Sequence, residues 1–359
     1  MRSLPHHRGR AAAAAALLLL APAARGDQIV IKGENNPGAK IVNFDQGRLH
    51  FRSADGRARW AWINDVDLMI VDRVGVFDDF NEAERFFASD DPPKAVARYE
   101  RTLRLTQEYW PDLISARLTQ GYDRAGQIDK AMFYWVRVLS GRWGGPAAAA
   151  RLIPRTVPAR RDARFTRAIE TLDTALAREV DEGRRALLQL VRYDVLRRGN
   201  DERAAGAVAV VVALSIPEPA RSEPVFAVVL AALSEASASA GPPAPPILAS
   251  LDRAIRDCPE AALPDFLLLK GELLLRGAET RDDIIRAAWP LLRVVIHVPD
   301  HPRAPAALLA AAGALERLGR SEQAVALLKE CLEHRRAESE IRQKAESMIA
   351  RLRSGPSGP

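Results

Sequence analysis

Leu118-Thr119-Gln120-Gly121-Tyr122-Asp123-Arg124-Ala125-Gly126-Gln127-Ile128-Asp129-Lys130-Ala131, running on to Trp135 and Val138, decides the fold class of this chain. Apolar and small residues recur at helical spacing on both sides of Gly126, and glycine is the residue that ends a helix in the left-handed conformation at least cost. Tyr122 stands four residues before Gly126, Ala131 five after it, and Trp135 four further on. The frame returns as Leu315, Gly319, Ala324 and Leu328, and more loosely as Phe86, Ala95 and Tyr99 and as Val195, Gly199, Ala204 and Val208. Each glycine closes the first helix of a pair. Each alanine lets the second helix approach closely, so that neighbouring pairs bury a shared seam.

That frame resembles the tetratricopeptide (TPR) repeat, and the 36-residue step from Ala95 to Ala131 is near the family period of about 34 residues. The resemblance implies a mainly α fold, a TPR-like α-α superhelical solenoid, with Tyr122, Gly126, Ala131, Trp135, Leu315, Gly319, Ala324 and Leu328 as its repeat-structural residues. It also implies a protein or peptide partner held on inward-facing residues of the first helices. Arg117, Gln120, Asp123 and Arg124 are the candidates from the best-matched repeat. TPR-like pairs are expected at 80–141 and 304–335, an irregular linker at 142–160, and paired helices through 161–353, where Pro290 falls inside an expected helix. The run Val298-Pro299-Asp300-His301-Pro302-Arg303-Ala304-Pro305 is similar to bacterial envelope repeat proteins, and it is equally good helix-capping chemistry.

The N-terminus reads as an export signal. Arg2, Arg8 and Arg10 precede an unbroken apolar run of 11 residues from Ala11 to Ala21, which is too short for a membrane span of about 20. Small residues place the cut after Ala23 or after Gly26, so the expected product has no stable transmembrane anchor and works in the periplasm or cell envelope. Losing the three arginines lowers the formal charge from +6 to +3, or to +2 if Arg25 goes too, and so weak a charge does not point to nucleic acid. Cys258 and Cys331 lie on separate expected helix pairs and read as two apolar thiols rather than a disulfide. The tail, 354–359, is expected to be disordered.

Before the helices, 27–76 reads as a small antiparallel β module of four or five short strands, a twisted sheet or partly closed barrel. Strands are expected at Gln28 to Lys32, Lys40 to Phe44, Arg48 to Arg52 and Arg57 to Ile63, with a fifth strand or short helix at Val66 to Val71. The turns fall at Asn36-Pro37-Gly38, Asp45-Gln46-Gly47 and Asp55-Gly56. So small a module needs support from the first helices, and Trp60, Trp62 and Phe51 are the expected contacts. It resembles Sm or SH3-like barrels, which implies an alternative function: ligand, peptide or RNA recognition by the module, with the helices as support.

Motifs for chemistry are absent from the sequence: there is no Gly-x-Ser-x-Gly, Gly-x-Gly-x-x-Gly or Cys-x-x-Cys, so neither a catalytic residue nor a cofactor is assigned. Pro299 breaks the helix that would align His297 with His301, which argues against a metal site there. Asp78-Asp79 and Asp90-Asp91 read as partners of helix dipoles, and the basic runs Arg155 to Arg167 and Arg197 to Arg203 as solvated helix faces. The expectation is a non-catalytic interaction scaffold.

Overall fold

A computed structural model of the chain describes residues 26–354 apart from 74, 76, 105, 157–161 and 239–241. The expected export signal up to residue 25 and the tail from residue 355 lie outside the described residues. The protein is mainly α, preceded by a five-stranded antiparallel sheet. It forms two compact units, Met1–Ala207 with Ser215–Val225, and Val208–Leu214 with Phe226–Pro359.

The sheet has strands β1 (Asp27–Ile31), β2 (Glu34–Asp45), β3 (Arg48–Arg52), β4 (Ala58–Trp62) and β5 (Val66–Ile70), in the order β4-β3-β2-β1-β5. The 12-residue β2 pairs with β1 through its first half and with β3 through its second, which bends the sheet around Ile29, Ile41, Phe44, Leu49 and Phe51. Two-residue turns with positive φ at both positions, Lys32-Gly33 and Gln46-Gly47, match the strand twist. The expected turn at Asn36-Pro37-Gly38 is instead inside β2. There the register slips by one residue against β1, Gly38 takes φ +68°, and the bulge tolerates a proline that has no N–H to offer the ladder.

In the first unit α1 (Phe77–Ala88) pairs with α2 (Pro92–Leu103), and α3 (Trp110–Arg124) pairs with α4 (Ile128–Ser140). The short helix α5 (Gly145–Arg151) follows, then α6 (Ala163–Arg178) and α7 (Glu182–Arg198). Helix α5 corrects the irregular linker expected at 142–160. Pro146 sits in the first turn, where its missing N–H costs nothing, and Ala147, Ala148, Ala149 and Ala150 propagate the helix and are buried. The Trp135 indole donates to the Ala149 carbonyl at 2.8 Å and ties α4 to α5. Helices α8 (Arg203–Ala213) and α9 (Glu223–Ala236) each carry residues of both units.

The second unit continues with α10 (Pro245–Asp257), α11 (Leu263–Arg276), α12 (Arg281–His297), α13 (Ala304–Arg317), α14 (Ser321–Glu333) and α15 (Ser339–Arg353). Pro290 is buried within α12, which continues through it. Leu308, Ala312, Ala324, Leu328, Cys331, Ala345 and Ile349 form the core of the last three helices. The Cys331 thiol sits inside it and donates to the Pro305 carbonyl at 3.3 Å.

The repeat frame has a definite backbone meaning. Gly126 at φ +69° and Gly319 at φ +74° each close a Schellman motif: the Gly126 and Gln127 N–H groups donate to Asp123 and Tyr122, and those of Gly319 and Arg320 to Glu316 and Leu315. Ala131, Trp135, Ala324 and Leu328 are fully buried, Tyr122 nearly so, and Leu315 is half-buried. The looser frames close in the same way on other residues. Asp90, at φ +60°, and Asn200, at φ +51°, take the left-handed position, with matching bonds from Asp91 to Phe86 and from Asp201 to Leu196. Asp90 is therefore the terminator of α1 rather than a dipole partner of the next helix, whereas Asp91 does cap α2. Gly199 is not a terminator. It lies against Phe165, where an added Cβ would come within 2.5 Å of the ring.

Candidate functional site

Arg117, expected on a partner-facing surface, is fully buried. Helix α3 is covered on most of its circumference, with Leu113, Ile114, Ser115, Ala116, Leu118 and Thr119 buried as well. A cation at such a position requires a partner, because unpaired burial of a guanidinium is prohibitively unfavourable. Glu84 of α1 supplies it: Nε and Nη2 of Arg117 donate to the two carboxylate oxygens at 2.9 and 3.0 Å. Gln120 is half-buried and accepts from Arg117 Nη1 at 3.2 Å. Asp123 is used by the following loop, accepting the Arg155 and Thr156 N–H groups at 3.0 and 2.8 Å. Arg124 alone of the four is exposed, with its guanidinium 4.0 Å from the centre of the Phe87 ring.

The buried pair is the centre of a larger network. Glu84 also accepts the Tyr99 hydroxyl at 2.6 Å and the Met69 N–H of β5 at 2.8 Å, while Arg117 donates to the Val66 carbonyl at 2.9 Å. Burial and the neighbouring Glu84 charge push the Tyr99 hydroxyl well above its ordinary pKa, so it stays a donor. Asn81 completes the edge, accepting the Val71 N–H at 2.7 Å and donating to the Val71 carbonyl at 2.9 Å. The outer edge of β5 is thus sealed by side chains of α1 and α3. The apolar contact beside it joins Val30, Leu68 and Ala88. These groups, rather than Trp60, hold the sheet to the helices. Trp60 is 50% exposed, although Phe51 is buried and Trp62 lies under Arg151 of α5 at 3.7 Å.

Between α4 and α6 lies an open groove of about 710 Å³, lined by Phe133, Val136, Thr171, Thr174, Ala175 and Leu188. Phe133 is 55% exposed there. It stands two residues from the buried Trp135 and so on the opposite helix face, and that off-seam aromatic was the signal in the sequence. The charges at the groove are largely matched, with Arg167 to Asp129 at 2.8 Å and Glu179 to Arg184 at 3.4 Å. A second groove, of about 450 Å³, lies in the other unit beside Leu248, Ile255, Leu267 and the 65% exposed Trp289.

Several described arginines of the basic runs form ion pairs. Arg164 holds the Asp162 carboxyl down at about 2, Arg197 and Arg198 pair with Asp194, and Arg203 pairs with Asp201. Among the described residues no three His, Cys, Asp or Glu side chains gather as a metal cluster, and no helix is long and apolar enough to cross a membrane. His301 Nδ1 accepts the Arg303 N–H at 3.2 Å within its own loop, and a His334 ring nitrogen lies 2.7 Å from the Pro299 carbonyl of the loop before α13.

No family model matches the chain, and no curated protein matches it. Among solved structures it is similar to one titled "Crystal Structure of P58(IPK) TPR Domain at 2.5 A", at 13% identity over 78% of this chain and 81% of that one, with a TM-score of 0.24.

Proposed function

We infer that this protein is a non-catalytic interaction scaffold of the periplasm or cell envelope, exported by a signal cut near Ala23 or Gly26. In this reading the helix pairs hold a protein or peptide partner through an apolar anchor seated between α4 and α6. The observation that carries the reading is Phe133, an aromatic ring 55% exposed at an open groove between two helices of the array. Leaving about half of such a ring in water forgoes about 0.8–1.7 kcal/mol of burial, which a partner side chain would recover. Export is supported by the basic start and the short apolar run.

The test immobilises the chain lacking residues 1–26, as wild type and as Phe133→Asp, and presents a cell-envelope lysate of the source organism to both. The reading expects a partner retained by wild type and depleted at least about tenfold by the variant, whose helical circular dichroism is unchanged. Equal retention by both, or no partner above background, sinks it.

A further inference from the structure

The two edges of the sheet are treated differently. On β5, Glu84, Asn81 and Arg117 bond the outward backbone groups of Met69, Val71 and Val66. On β4, the bonds Ser53 N–H to the Arg57 carbonyl and Ile63 N–H to the Gly47 carbonyl, both 3.0 Å, fix which residues face β3. Arg59 and Ala61 pair inward, so Ala58 and Trp60 turn their N–H and C=O groups outward. Among the described residues nothing bonds to those groups. Ala58, Arg59 and Trp60 are all exposed, so the edge is open to solvent.

The side chains beside this edge are predominantly basic, although Asp45 of β2 stands opposite Arg48. Arg48, His50 and Arg52 of β3 stand opposite Trp62, Trp60 and Ala58, and Lys40 of β2 stands opposite Arg52. The Arg48 guanidinium lies 4.6 and 4.7 Å from the Trp60 and Trp62 rings, and Arg151 covers Trp62. Among the described residues Lys40, Arg48, Arg52 and Arg151 have no carboxylate within ion-pair distance. Asp55, at the turn, is already engaged by Ser53, Arg57 and Arg59.

We propose that the β4 edge binds an extended acidic segment of a partner protein as an added strand. Backbone groups of the segment pair with Ala58 and Trp60, and its alternate carboxylates meet Arg52 and Arg48. Ala58, with its single methyl, leaves room for Arg52 to reach across. Alternating donors and acceptors on an edge match another polypeptide backbone. A single nucleic-acid strand binds by stacking on open ring faces, and it would have to compete with Arg48, which lies over both Trp60 and Trp62, and with Arg151 over Trp62. A second copy of β4 would bring Arg52 and Arg59 against like charge. The site rests on the protein-partner reading only in being a protein site, and it is independent of Phe133.

The experiment uses the chain without residues 1–26 and a fluorescent peptide of about ten residues alternating Glu and Val, with a Lys/Val peptide and a thymidine oligonucleotide as comparisons. Binding is read by anisotropy. Ala58→Pro removes one outward N–H while leaving the inward N–H groups of Arg59 and Ala61 to β3, and Arg52→Glu changes charge at an exposed position with no ion pair to lose. The proposal expects the acidic peptide to bind, the Lys peptide not to, and each variant to weaken binding about fivefold or more, with Phe133→Asp without effect. It is overturned if the acidic peptide does not bind, if Ala58→Pro and Arg52→Glu bind it as wild type does, or if the oligonucleotide binds in its place. Concentration-dependent dimerisation abolished by Ala58→Pro would overturn it in favour of self-association.

Discussion

Replacing Arg117 by methionine takes the cation from a pair in which both side chains are fully buried. The Glu84 carboxylate then stays in the protein interior with only the Tyr99 hydroxyl and the Met69 N–H to satisfy it. Removing one member of a buried pair costs about 3–5 kcal/mol. For a unit of this size that lowers the melting temperature by about 6–20 °C, at about 2–4 °C per kcal/mol. Trp60, Trp62, Trp110, Trp135 and Trp143 lie in the first unit and only Trp289 in the second. In a Trp289→Phe background, tryptophan fluorescence therefore follows the first unit alone. The double variant Glu84→Leu, Arg117→Met separates two explanations of the loss. If the pair served only its own charges, exchanging both for apolar side chains would recover or exceed wild-type stability by about 1–4 kcal/mol. Here the exchange also strips partners from the Met69 N–H, the Val66 carbonyl and the Tyr99 hydroxyl, at about 2 kcal/mol each. Central values leave the double variant about 3.5 kcal/mol below wild type. A double variant as stable as wild type would refute the reasoning that the network seals the β5 edge.

Alkali should unfold the protein from about pH 10 upward, because burial lifts Tyr109 and Tyr134 to about 12 and raises Tyr122 further. The unfolded chain releases these protons near the ordinary value of about 10 while the folded chain retains them, so stability present below pH 10 is lost towards pH 12. Urea midpoints that do not fall between about pH 9 and 11, alongside tyrosinate absorbance, would contradict this. Gly126→Ala and Gly319→Ala should each cost about 1 kcal/mol by urea titration, since no atom lies nearer than 3.9 Å to an added Cβ and only the positive φ opposes it. Asp90→Gly should be stabilising by up to about 1 kcal/mol for the same reason, and a loss would mean that Asp90 has another role. Gly199→Ala should cost about 1–3 kcal/mol by overpacking against Phe165, and a thermal midpoint equal to wild type would show that the ring moves aside freely.

Several features were missed in the sequence for specific physical reasons. Asp90 and Asn200 occupy left-handed positions, but Asp and Asn are also the residues of helix caps and turns, so their letters do not say which end of a helix they mark. Asn-Pro-Gly is strong turn chemistry, yet at 36–38 the chain uses it as a bulge because Lys32-Gly33 already closes the hairpin. Phe133 was visible as an aromatic off the Tyr122-Ala131-Trp135 seam. Its groove was not visible, since Thr171, Ala175 and Leu188 come from helices later in the chain.

The sequence by itself marked the repeat frame and two of its helix ends, because backbone preference and burial periodicity act over a few residues and are written locally: Gly126 and Gly319 end their helices, and Ala131 and Ala324 are buried at the seam. The hairpin strands before the helices were legible on the same grounds. Tertiary structure alone decided the fate of Arg117. Whether a guanidinium meets water or a carboxylate depends on Glu84, 33 residues away, and on a strand edge 51 residues away, and no local pattern encodes that meeting. Packing decided in the same way that one edge of the sheet is closed by α1 and α3 while the other, at Ala58 and Trp60, stays open.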